Sequence, residues 1–190
     1  MPYAVELTFD AASERAIAAV WQALADAGLS RSMLGKGYRP HISLGVCDEL
    51  DVAGLAADLV RLAAGWSAFP VALTHVGHFP GDEGVLYYGL DTPPALVAPH
   101  AAFFAVLRRH ASGVWEYYRP GLWVPHCTLA YGLAPDQMVA AIAVASQVAL
   151  PMPCHLVEVI LVRTTTTGCD TLWQAALPAP PQDGATVGQS

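Results

Sequence analysis

Apolar and polar positions along the chain switch between two periods. Residues 4–9 (AVELTF) alternate weakly, as a strand with one buried face does. Asp10 is placed to cap a helix in which Ile17, Val20, Trp21 and Leu24 share a face, with Gly28 as its stop. A loop with Gly35 and Gly37 leads to a short apolar run, His41 to Cys47. Asp51 then caps a second helix with Val52, Leu55, Leu59 and Leu62 inward and Gly65 after it. Strands are expected at 69–78 and 84–91, around the turn Pro80 to Gly84. A third helix follows, with Thr92 as cap, Pro93 in the first turn, and Leu96, Phe103, Phe104 and Leu107 on its apolar face. After Gly113 come an aromatic loop and a run from Leu122 to Tyr131. Pro135 opens a fourth helix to about residue 147, and strands near 154–163 and 171–177 close the pattern. They are joined by a polar hairpin loop, Thr164 to Gly168. Residues 178–190, rich in Pro, Gly and Ala, are expected to form a disordered tail.

The order repeats. Strand (VELTFD), helix, PHISL, helix, strand is followed by strand (LYYGLD), helix, PHCTL, helix, strands. Asp10 to His41 spans 31 positions and Asp91 to His126 spans 35. Matched motifs at matched places predict two similar lobes about a pseudo-twofold axis. The expected fold is therefore α+β and bilobal. It is one domain over 1–177, with lobe halves near 1–80 and 84–177, antiparallel sheet and helices flanking a central groove.

Composition narrows the partners. Of 190 residues, 54% are hydrophobic and 13% charged, which excludes a disordered chain. Nine Lys and Arg face sixteen Asp and Glu, with Lys36 the single lysine, so a long basic stripe for nucleic acid is missing. A small phosphorylated ligand needs only two or three local cations. The most apolar stretch, Met138 to Leu150, is broken by Ser146 and Gln147 and is shorter than the roughly 20 residues that span a bilayer. The first ten residues show neither the basic stretch nor the apolar core of a secretory signal. Cys47, Cys127, Cys154 and Cys169 form no CxxC pair, which suggests reduced thiols. A cytoplasmic monomer without membrane contact is expected.

The chemistry lies in the repeated motif. On a strand, alternate side chains share a face, so His41 and Ser43 project together, their backbones roughly 6.6 Å apart. Ile42 and Leu44 face the other way. His126 and Thr128 repeat the arrangement, with Cys127 and Leu129 behind them. Pro40 and Pro125 lack an N–H and belong at strand starts or edges. Two imidazoles and two hydroxyls lining one groove suit phosphodiester cleavage. A neutral imidazole takes a proton from an attacking water and an imidazolium protonates the leaving oxygen, since histidine titrates near neutral pH. The hydroxyls hold the non-bridging oxygens. No metal or other cofactor is required.

His41-Ile-Ser43-Leu, His126-Cys-Thr128-Leu and the run Tyr118 to His126 resemble the two-histidine (2H) phosphoesterase superfamily. The resemblance is to its bacterial 2′-5′ RNA ligase, or RNA 2′,3′-cyclic phosphodiesterase, branch. It covers roughly residues 3 to 177. It implies a bilobal α+β fold and hydrolysis of a 2′,3′-cyclic phosphate to a 2′-phosphate, with weak reverse 2′-5′ ligation in some members. By analogy His126 is the base and His41 the acid. Alternatives using the same groove are a 2′,5′-phosphodiesterase, a cyclic ADP-ribose phosphate hydrolase, and a nucleotide- or RNA-binding module without turnover. Few basic residues flank the groove, which favours a nucleotide or short RNA end as partner over long RNA.

Arg39, Arg119 and Arg163 are the expected phosphate contacts, with Lys36 nearby; Trp123 and Tyr131 are expected to contact substrate. Trp115, Tyr117 and Tyr118 share the same aromatic loop. His75 and His78 fall three apart on a strand, pointing to opposite faces, with no third ligand near. His100, His110 and His155 are expected in solvated or capping roles.

Overall fold

The computed structural model describes residues 1–91, 94–166 and 168–179. The expected helix start at Thr92 and Pro93, the last threonine of the 164–167 run and tail residues 180–190 lie outside them. Among the described residues there are eight strands: β1 (Tyr3–Phe9), β2 (His41–Leu50), β3 (Phe69–His78), β4 (Leu86–Leu90), β5 (Ala111–Val114), β6 (His126–Ala130), β7 (Met152–Thr164) and β8 (Cys169–Ala176). Four helices join them: α1 (Ala11–Asp26), α2 (Val52–Ala64), α3 (Pro94–His110) and α4 (Pro135–Ala145). The fold is α+β.

Local chemistry explains most boundaries. The Asp10 carboxylate accepts from the Ala12 and Ser13 amides at 3.0 Å, a cap worth about 1 kcal/mol. Gly28 takes φ +69° just beyond α1. Two expectations shift. The aromatic loop is preceded by the short strand β5, which pairs β2 across Cys47 and Val114 and is too polar to announce itself. At the other end Pro178, read as the first tail residue, follows buried Leu177 and accepts from the Ala68 amide on its carbonyl at 2.8 Å.

The strands run β5-β2-β1-β7-β3-β4-β6, all paired antiparallel, with β8 also on β7. Long β7 is the seam. Its residues 152–156 pair β3, 156–163 pair β1, and 158–164 pair β8. The halves of the sequence interleave around it. β3, from the first half, sits beside β4 of the second, and β5, from the second, edges β2 of the first. α1 packs on α4 and β6, while α3 packs on α2 and β2. Periodicity says that a helix has a buried face but not which sheet covers it.

The main core includes Phe9, Ile17, Leu24, Leu44, Leu59, Leu73, Tyr88, Phe103 and Leu129, each almost wholly buried. Tyr88 satisfies its hydroxyl on the Ala145 carbonyl at 2.7 Å. α3 sits close on β2 because residue 45 is glycine: a Cβ there would lie 2.7 Å from Leu107 Cδ2 and 3.0 Å from Phe103 Cε1. A smaller cluster of Ala4, Val46, Ile160 and Val162 lies under Tyr118 and Cys169. All four cysteines are free thiols. Among the described residues no helix is long and apolar enough to cross a membrane.

Candidate active site

β2 and β6 lie against each other without forming a ladder. Each begins at its histidine, directly after a buried proline whose missing N–H ends the pairing there. Instead of a ladder, indoles pin the two strands. Trp123 Nε1 donates to the Ser43 carbonyl at 3.0 Å, and Trp21 Nε1 donates to the Thr128 carbonyl at 3.1 Å. In both cases the indole comes from the other half of the chain. The two motifs are thereby brought together.

The imidazoles are held alike. His41 Nδ1 lies 2.7 Å from the Arg39 carbonyl, and His126 Nδ1 lies 2.7 Å from the Val124 carbonyl. A carbonyl only accepts, so each ring carries its proton on Nδ1 and leaves Nε2 for chemistry. Ser43 and Thr128 are half-buried on the same strands, two residues on.

The surroundings differ. In the β1–β2 ladder Glu6 stands opposite Ser43; in the β4–β6 ladder Tyr87 stands opposite Thr128. Glu6 Oε1 lies 3.4 Å from His41 Nε2. His126 is instead walled by Phe79, edge-on at 4.8 Å between centroids, and Tyr87 at 5.2 Å. Burial lowers the His126 pKa from the ordinary imidazole value, the Val124 carbonyl opposing and the charge of His41 adding to the fall. Glu6 moves the other way: burial raises its pKa, with His41 and Arg39 opposing. Burial pushes the Tyr118 hydroxyl up to about 12, with Ser43 opposing.

Residues 9–168 match the model of the 2′-5′ RNA ligase superfamily. The chain belongs to that family. Its fold is that of the 2H phosphoesterases, a group of phosphodiesterases and ligases. LigT of E. coli complexed with 3′-AMP is 16% identical, with a TM-score of 0.58 over 92% of this chain and 96% of that one. TT0787 of Thermus thermophilus is 18% identical, with a TM-score of 0.56 over 94% and 99%. Usb1 of Kluyveromyces marxianus is 12% identical, with a TM-score of 0.51 over 93% and 97%. At such identities the likeness is one of fold. No curated protein matches the chain by sequence.

The arginines expected at the groove are each engaged by a carboxylate of the chain itself. Arg39 donates to Glu14 at 2.8 Å and to Glu158 at 2.5 Å. Arg163 pairs with Asp170 at 3.1 Å and Arg119 with Glu116 at 3.6 Å. Lys36 donates to the Tyr131 hydroxyl at 3.1 Å, joining loop 30–38 to the end of β6. Tyr131 is 38% exposed, whereas Trp123 is turned inward, stacked on His100 at 3.9 Å. The indole of Trp123 therefore positions β2 instead of offering a free stacking face.

Two histidine expectations change. His100 is buried under Trp123, on the apolar face of α3, where a polar residue ordinarily signals solvent. His110 joins Asp58, its Nε2 2.8 Å from Oδ2, with Arg109 and Arg61 completing an ion cluster between α2 and α3. His75 and His78 are both exposed. Beyond Phe79, a cavity of about 510 Å³ opens between the 78–84 turn and residues 132–138. Sequence reasoning missed Glu6 and Tyr87. Only their alternation with apolar neighbours, in strands placed beside the motifs, marked them.

Proposed function

We propose that the chain is a metal-independent phosphodiesterase that opens 2′,3′-cyclic phosphates of nucleotides or RNA ends to 2′-phosphates. The observation that carries this reading is the pair of imidazoles, each fixed through Nδ1 and each presenting Nε2. His126, kept neutral by its aromatic wall, takes a proton from water as the water oxygen bonds phosphorus. The bond from phosphorus to the 3′-oxygen breaks, and that oxygen takes a proton from His41. Ser43 and Thr128 hold the non-bridging oxygens. Acid–base catalysis by two imidazoles requires no metal. With a 5′-hydroxyl in place of water as the nucleophile, the same steps join it to phosphorus and release the 3′-oxygen, which is weak 2′-5′ ligation.

Arginines already paired with carboxylates of the chain favour a nucleotide or a short RNA end over long RNA. The 3′-AMP held by LigT is of the size this reading requires. The deciding experiment is a turnover screen in EDTA with the four nucleoside 2′,3′-cyclic phosphates, a short cyclic-phosphate-ended RNA and a 2′,5′-linked dinucleotide. Cyclic phosphates should be opened to 2′-phosphates. Cleavage of the dinucleotide alone makes the protein a 2′,5′-phosphodiesterase, and binding without turnover removes the enzyme reading.

A further inference from the structure

A buried carboxylate beside the groove belongs to neither motif. Glu6 is 5% exposed, in the middle of β1, opposite Ser43 on one side and Ile160 on the other. Its neighbours Val5 and Leu7 are wholly buried on the opposite face. An unpartnered carboxylate in such a place is costly, so the position calls for a partner of opposite charge. Several groups face it. They are His41 from β2, Arg39 and Tyr38 from the preceding loop, Tyr118 from the aromatic loop, Cys127 from β6 and Cys169 from β8. Arg39 is already held by Glu14 and Glu158. That leaves the His41 imidazole, 3.4 Å away, as the partner able to gain or lose a proton.

The duplication sharpens the point. The ladder position that Glu6 fills beside His41 is filled by Tyr87 beside His126. A symmetric site would give both rings the same proton affinity, and acid–base catalysis needs one ring protonated while the other is neutral.

We propose that Glu6 is a positioning residue that shares one proton with His41, which makes His41 the donor and leaves His126 as the acceptor. This rests on the two-histidine reading above. In the step, the proton leaves His41 Nε2 for the departing 3′-oxygen, and the water proton goes to His126 Nε2. Glu6 exchanges no proton with substrate; it supplies the anion that faces the imidazolium before transfer. Burial raises the Glu6 carboxyl above its ordinary value, with His41 and Arg39 opposing.

The test compares rate–pH profiles of the wild type, Glu6→Gln and Glu6→Asp. With the anion gone, the alkaline limb of the Glu6→Gln profile should move to lower pH by about 1–3 units, the usual effect of a charge at this range. The acidic limb, set by His126, should stay, and kcat should fall more than KM rises. Glu6→Asp should recover part of the shift. An alkaline limb that stays in place in folded Glu6→Gln overturns the proposal. A carbon-13 carboxyl titration of Glu6 in the wild type and in His41→Ala answers without turnover and without a Glu6 variant. The Glu6 midpoint should rise when the imidazole is removed, and an unmoved midpoint overturns the sharing. Absence of wild-type turnover would sink the phosphodiesterase reading, while the carboxyl titration would still judge the pair.

Discussion

The motif at His41 and the motif at His126 are alike in every local respect. Each starts a strand after a proline, fixes Nδ1 on the carbonyl two residues back, and receives an indole N–H on the carbonyl of its third residue. They part company in the flanking ladders, where Thr8 and Glu6 stand opposite His41 and Ser43 but Gly89 and Tyr87 stand opposite His126 and Thr128, so that a carboxylate on one side answers a phenol on the other. The phenyl ring of Phe79 completes the wall on the second side. Duplication produces two equal groups, whereas acid–base catalysis needs two unequal ones. The inequality has to come from neighbours, and here it comes from strands that flank the motifs.

The largest effects should break the comparison outright. His41→Ala and His126→Ala should each lower turnover by about 10²–10⁴, the range for one positioned acid or base. The double variant should lose far less than the product, since both groups act in one step. A substrate whose leaving oxygen needs no protonation should rescue His41→Ala and leave His126→Ala impaired. Rescue of His126→Ala instead would exchange the two roles.

A smaller effect should sharpen it. Phe79→Ala admits water to the His126 ring and relieves the burial that depresses its pKa. The acidic limb of the rate profile should move up toward the ordinary imidazole value, so rates at about pH 6 fall several-fold while those at about pH 8 hold. An unmoved limb would mean that Phe79 does not shield the ring. Ser43→Ala and Thr128→Ala should each cost about tenfold or a little more in kcat, the worth of one hydrogen bond to a charged oxygen. A loss as large as that of the histidines would give the hydroxyl a direct part in proton transfer.

Stability should carry the asymmetry as well. His126 and His100 are both depressed, chiefly by burial, so the unfolded chain binds more protons than the folded one below about pH 6.5. Their contribution is present above about pH 6.5 and lost as pH falls through the folded values. Glu6 is raised, so its contribution is present below the unfolded carboxylate value of 4.5 and is lost as pH rises through the folded one. Urea midpoints between about pH 5 and 8 should therefore flatten at the acid end in His100→Phe, which keeps the stack on Trp123. A midpoint curve parallel to the wild type would remove His100 from the account. The smallest expected effect is that of EDTA, which should leave turnover within error.

Helix faces, caps and the paired His-x-Ser/Thr motifs were legible along the chain because each depends on neighbours a few residues away. Asp10 reaches its two amides, and His41 reaches the Arg39 carbonyl, within one turn or strand step. Arg39 was legible as a cation but not as a neutralised one, since Glu14 lies 25 residues from it and Glu158 lies 119. Trp123 reads along the chain as a stacking platform, but His100 takes its face and the Ser43 carbonyl takes its N–H. Sequence by itself determined that two imidazoles and two hydroxyls recur in matched motifs. Only the tertiary structure decided that they differ, because β1 and β4 place Glu6 and Tyr87 beside the motifs through ladders that join residues 37 to 41 positions apart.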